Sequence, residues 1–207
     1  ADLHVRLGWT LAMAGHSEEA TACFREALRL QPAMARAHLG MGNVLSSAGQ
    51  LAEAAQAYQR AASLDTNLLE AHVGLARVME GLGRWSQALE HYVRALRLNP
   101  DDPSSLCRAA WILATRPDES ERDARQAVAW AERAWQATGL QDPRAADVLA
   151  AAHAAAGQFE QAVQFAEQAV QLAAAAHMDE FAEQVRQRLA LYRQGQPFVQ
   201  RAADDRS

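Results

Sequence analysis

Gly15, Gly49 and Gly83 stand 34 residues apart, and the same interval separates Ala20, Ala54 and Ala88, then Ala27, Ala61 and Ala95, then the aromatics Phe24, Tyr58 and Tyr92. Large apolar residues keep the same step: Leu7, Met41 and Leu75, and Leu11, Leu45 and Met79. A period this long, carried by small and large residues together, means that one supersecondary unit is repeated. Such a unit leaves an apolar face bare on its own and buries it only by stacking on its neighbours. The material of the unit follows from composition. Of 207 residues 48 are alanine, against 11 glycines and 6 prolines, so the chain is expected to be almost wholly helical.

Within each period the pattern reads as two helices. The recurring glycine ends the first, helix A, by taking a left-handed backbone. Ser17 then reads as the N-cap of helix B, with Glu18 and Glu19 at its positive end. Gly8, Gly42 and Ala76 keep one face of helix A flat, and Ala20, Ala54 and Ala88 do so on helix B. Small residues there let packed helices approach to about 8–10 Å.

These residues together resemble the tetratricopeptide repeat (TPR) family, whose unit is a 34-residue antiparallel helix pair. The resemblance implies an all-α, right-handed TPR superhelix (an α-solenoid) of about five helical hairpins plus a C-terminal capping helix. Three repeats fit without gaps, over 1–34, 35–68 and 69–102. A fourth spans 103–142 with a lengthened A–B loop, because Ala127 comes five residues later than the register predicts. Pro117 is expected to end its helix A, with Asp118 or Ser120 capping a longer helix B that runs to about Thr138 and uses Trp130 or Trp135 as its bulky residue. A fifth repeat fits 143–176, with Leu149, Gly157, Ala162 and Ala169 in the same slots. The capping helix is placed at 177–196 and a tail at 197–207. The run Leu189–Phe198 resembles the ending of bacterial TPR proteins in which repeats close a longer polypeptide, and the opening on Ala1 agrees with an excised segment.

Other classes of function find little support. All 20 basic residues are arginine, but the net charge is −5, which argues against a partner bound through a nucleic-acid backbone. No apolar run approaches the roughly 18–20 residues of a membrane span. Cys23 and Cys107 form no metal or redox motif, so no disulfide framework is expected, and both read as small packing residues. His4, His38 and His72 recur at the fourth position of successive repeats. Equivalent atoms in stacked repeats lie near 10 Å apart, whereas zinc needs nitrogens within about 2.1 Å of one ion. They are read as packing residues and not as metal ligands. No H-E-x-x-H, G-x-S-x-G or P-loop motif occurs, and Gly40-Met-Gly42 lacks the third glycine and the preceding strand of a dinucleotide site. The reading is therefore no enzyme, no cofactor and no metal. The compartment is open, with the cytoplasm favoured over the periplasm.

In the TPR family the concave groove is lined by helix A, at repeat positions 2, 5, 6, 9, 12 and 13. Carried onto this chain, those positions hold five arginines and four carboxylates. The candidate peptide-groove residues are Arg6, Trp9 and Met13 in repeat one, Arg36, Leu39 and Asn43 in repeat two, and Arg77 in repeat three. Repeat four adds Cys107, Arg108 and Trp111, and repeat five adds Arg144. Guanidinium groups pair with carboxylates in a bidentate fork, and tryptophan anchors apolar side chains. The expected function is a protein–protein interaction scaffold that takes a peptide or helix of a partner, possessing acidic groups, into this groove. The alternative is self-assembly into a homo-oligomer through the exposed edge of the first helix. The Lys and Asn of carboxylate-clamp TPR domains have no counterpart, since Val5 and Trp9 occupy those positions in repeat one.

Overall fold

The computed structural model of the chain describes residues 1–118 and 122–200. Eleven helices and no strand occur among them, in two compact units. The N-terminal unit, Ala1–Leu98, holds α1 (Asp2–Met13), α2 (Ser17–Leu30), α3 (Ala35–Ser47), α4 (Leu51–Leu64), α5 (Leu69–Gly81) and α6 (Trp85–Leu98). The C-terminal unit, from Asn99, holds α7 (Pro103–Thr115), α8 (Ala124–Ala137), α9 (Pro143–Ala155), α10 (Phe159–Ala175) and α11 (Asp179–Arg193).

The recurring glycines do what their spacing implies. Gly15, Gly49 and Gly83 have φ of 84°, 76° and 71°. At the first, the Gly15 amide donates to the Ala12 carbonyl and the His16 amide to Leu11, which satisfies the last carbonyls of α1. This turn is so short that α2 begins at Ser17 itself. His16, not Ser17, is the N-cap, and it makes no side-chain capping bond; its ring instead meets Glu19 at 2.9 Å.

Each hairpin of the N-terminal unit is locked to the next by a ring seated on two glycines. Phe24, fully buried on α2, lies against Gly8 of α1 and Gly40 of α3. A Cβ placed on Gly8 would come within 2.8 Å of that ring, and one on Gly40 closer still. Tyr58 on α4 repeats the arrangement between Gly42 of α3 and Gly74 of α5, at 2.7 and 2.6 Å. The repeated His takes a different task. His38 and His72 approach the Pro32 and Thr66 carbonyls at 3.0 and 3.2 Å through Nε2, which ties each helix A to the turn before it.

In the C-terminal unit two Asp-Pro pairs start the A helices. Asp102 accepts from the Ser105 amide at 2.7 Å, and Asp142 from the Arg144 amide at 2.8 Å, each with proline at the first helical position. α7 stops at Thr115, just before Arg116 and Pro117. The extra residues of repeat four lengthen the connection and not the helix: α8 has 14 residues, as α2, α4 and α6 do. Its cap is Asp123, whose carboxylate accepts from the Gln126 amide at 3.0 Å, and not Asp118. Ser120 lies outside the described residues. Trp135 is the buried tryptophan of α8, while Trp130 is half-buried.

α11 closes the unit by packing Ala182, Val185, Leu189 and Tyr192 against α10 while Glu183, Arg186 and Gln187 face water. It ends at Gly195 (φ 70°), where the Gly195 and Gln196 amides return to Tyr192 and Leu191. Pro197 then forbids further helix. Residues 197–200 lie against α7, and the Gln200 amide donates to the Thr115 carbonyl at 2.7 Å. The expected tail beyond 200 lies outside the described residues.

Candidate functional site

The helix-A face of the C-terminal unit opens into a cavity of about 870 Å³. Cys107, Arg108 and Trp111 of α7 and Arg144 of α9 all line it, so four residues read from repeat position meet around one space. Phe181, Gln184 and Arg188 of α11 form the facing wall. These three escaped a reading confined to helix A, because the capping helix has no repeat register to follow.

The carboxylates of this face are engaged by the protein. Asp102 and Asp142 hold helix N-termini, as above. Asp147 is 4% exposed and takes both ends of the Arg188 guanidinium, at 3.0 and 2.8 Å. Burial pushes the Asp147 carboxyl up from its usual range, and Arg188 opposes that rise without cancelling it. Arg144, by contrast, is exposed and has no carboxylate partner among the described residues. The Cys107 thiol is pushed up to about 12, chiefly by burial and then by Asp142. It stays protonated at neutral pH, so the residue behaves as a packing group and not as a nucleophile.

Trp111 is only partly open. The Phe198 ring lies 5.7 Å away, tilted by 37°, and the Arg188 guanidinium sits 5.4 Å from the Trp111 centroid and 5.6 Å from that of Phe198. The aromatic expected to anchor a partner therefore already carries one from its own chain. A contact between residues so far apart in sequence leaves no periodic trace.

On the N-terminal unit Arg6, Arg36 and Arg77 are exposed on α1, α3 and α5, each without a carboxylate partner among the described residues. Asn43 is exposed, and its Oδ1 accepts from the Tyr58 hydroxyl at 2.7 Å, which leaves its amide N–H groups for another partner. Burial raises the Tyr58 phenol above its ordinary range. Trp9 is half-buried and meets Phe24 edge-on, with centroids 5.8 Å apart. Met13 is 87% exposed. Leu39 is 5% exposed and belongs to the packing. Gly40 and Gly74, which fall on groove positions by register, are ring seats.

A second cavity, about 720 Å³, lies among α4, α5 and α6. His72 and His91 stack there at 5.8 Å, and burial, aided by Arg94 and His72, lowers the His91 pKa. Among the described residues no group of three or more His, Cys, Asp or Glu side chains could hold a metal ion. None of the described helices is long and apolar enough to cross a membrane.

Three tetratricopeptide-repeat family models match the chain, over residues 5–67, 45–106 and 144–177. The chain belongs to the tetratricopeptide-repeat family, and its fold is all-α, made of helical hairpins of the α-solenoid class. Solved TPR structures are similar to it in fold. YrrB, described as a TPR protein with an unusual peptide-binding site, shares 20% identity over 87% of this chain and 90% of that one, with a TM-score of 0.72. MamA shares 17% over 83% and 91%, at 0.70. TTC0263, a thermophilic TPR protein of Thermus thermophilus, shares 20% over 92% and 97%, at 0.61. No curated protein matches the chain in sequence.

Proposed function

We propose that the chain is a non-enzymatic interaction scaffold whose helix-A faces bind an acidic peptide or helix of a partner protein. The observation that carries this reading is a mismatch of charge. Arg6, Arg36, Arg77 and Arg144 project without carboxylate partners among the described residues, while Asp102, Asp142 and Asp147 of the C-terminal face are spent on helix ends and a buried pair and Glu80 accepts from Tyr92, which leaves Asp2 and Glu70 as the exposed carboxylates at groove positions. Uncompensated guanidinium beside partly open aromatic surface suits a carboxylate-bearing peptide. The peptide-binding site described for YrrB agrees with this use of the fold.

The test is selection from a random peptide library, followed by affinity measurement at low and high salt. Selected peptides should be acidic and should weaken as salt rises. Reversing one arginine, Arg77→Glu or Arg144→Glu, should weaken binding about tenfold, which is roughly 1.4 kcal/mol. Peptides of unbiased charge that ignore both reversals would refute the reading.

One observation favours a second reading, self-assembly through the first helix. Leu3 and Leu7 of α1 are 74% and 48% exposed, whereas Leu75, at the repeat position of Leu7, is 3% exposed under the hairpin before it. A second copy would cover that edge. Light scattering over a concentration range should then show association in the wild type and none in Leu3→Glu/Leu7→Glu.

A further inference from the structure

The C-terminal unit already holds a peptide on its helix-A face: residues 197–200 of the chain itself. Gly195 reverses the chain after α11, and Pro197 keeps it extended. Phe198 then lies tilted against Trp111 and covers the Arg188 guanidinium, whose plane is fixed by its two bonds to buried Asp147. Two residues on, the Gln200 amide reaches the Thr115 carbonyl, one of the last-turn carbonyls of α7 that has no partner within the helix. A side chain on a rigid aromatic-guanidinium platform, with a main-chain bond beside it, is the chemistry by which extended peptides are recognised. The segment lies at the edge of the core, with Pro197, Phe198 and Gln200 half-buried. α7 packs on α8 and α9, and α11 on α10, through other residues, while Val199 is 38% exposed.

We propose that residues 197–200 are an intramolecular ligand of the α7–α11 face. The face selects an aromatic residue in an extended peptide whose main-chain amide two positions later meets Thr115. An outside peptide of that kind binds only by displacing Phe198. This rests on the reading of the chain as a peptide-binding scaffold and adds, for its C-terminal unit, an aromatic determinant beside the acidic one; residues 197–200 carry no carboxylate and so leave Arg144 for an outside peptide. The four residues between Arg193 and Phe198 tether the segment at an effective concentration on the order of millimolar. The apparent affinity for a competing peptide falls by the fraction of time the face is open.

The probe is a synthetic, fluorescein-labelled peptide of residues 194–200, titrated by anisotropy into the full chain. It should bind Phe198→Ala at least tenfold more tightly than the wild type. A second variant, Gln200→Pro, loses the amide donor and keeps the ring, and it should open the face in the same direction. The same peptide with alanine in place of phenylalanine should bind none of the three proteins. Equal binding to wild type and both variants, or none to variants that circular dichroism shows to be folded, would overturn the proposal. So would loss of the folded state in both variants, because the segment would then be core. Acidic library peptides that bind wild type and Phe198→Ala alike would retain the scaffold reading while removing this one. Library selection that fails, with the probe still gaining on Phe198→Ala, would do the reverse.

Discussion

Gly40 shows how one missing methyl group decides packing. Alanine would favour the α3 helix by about 1 kcal/mol on propensity. It would also drive a Cβ into the Phe24 ring, which is buried and held from the other side by Gly8. Overpacking of a filled core costs about 1–3 kcal/mol, so the clash is expected to win, and Gly40→Ala should unfold at lower urea than the wild type. Cys107 gives a prediction of different kind. An ordinary thiol near 8.5 is about a quarter ionised at pH 8, and one pushed up to about 12 is ionised to about one part in ten thousand. Because the thiolate is the reactive form, Cys107 in a Cys23→Ser background should alkylate about a thousandfold more slowly than a free thiol at pH 8. Its rate should climb about tenfold per pH unit up to pH 11. A rate already level at pH 9 would contradict the protonated, half-buried thiol.

At the scale of elements, what the sequence made visible and what it hid follow from the range of the interactions. The helix pairs, the left-handed glycines and both Asp-Pro caps are local or periodic, and they can be read from spacing. The Asp123 cap escaped because the inserted residues before α8 offer several Asp and Ser candidates, and only the backbone path chooses among them. The site was half legible. Repeat position brought Cys107, Arg108, Trp111 and Arg144 to one cavity, but it also put Leu39 and Gly40 on the groove, where they pack inward. Contacts from α11 had no register at all. Among these, Asp147–Arg188 joins residues 41 apart and binds α9 to α11. Removing one partner of a buried pair leaves a charge in a dry site and costs about 3–5 kcal/mol, whereas replacing both with apolar residues is often near neutral. Arg188→Met should therefore destabilise far more than Asp147→Leu/Arg188→Met, as urea denaturation of the three proteins would show.

For the molecule as a whole, stability in a repeat stack is close to a sum over repeats and their nearest-neighbour interfaces. A defect in the N-terminal unit should then act chiefly there. Hydrogen exchange of Gly40→Ala is expected to speed at the amides of α1–α4 and to leave α9 and α10, in the other compact unit, as protected as before. Uniform loss of protection would mean that the chain unfolds as one cooperative block.

The seating of Phe24 on Gly40, and of Tyr58 on Gly74, makes each of the two joints within the N-terminal unit a matched pair contributed by two different repeats. The aromatic belongs to one repeat and the empty place that receives it to the next. Repeat two carries both halves, Gly40 to receive a ring and Tyr58 to supply one, so duplicating or deleting it would still leave a ring facing a glycine at each new joint. What such a joint excludes is a follower with a side chain at that place: repeat four, which has Arg108 there, could not stand behind repeat one or two without displacing the ring, so the glycine-bearing repeats can replace each other and not the rest of the array.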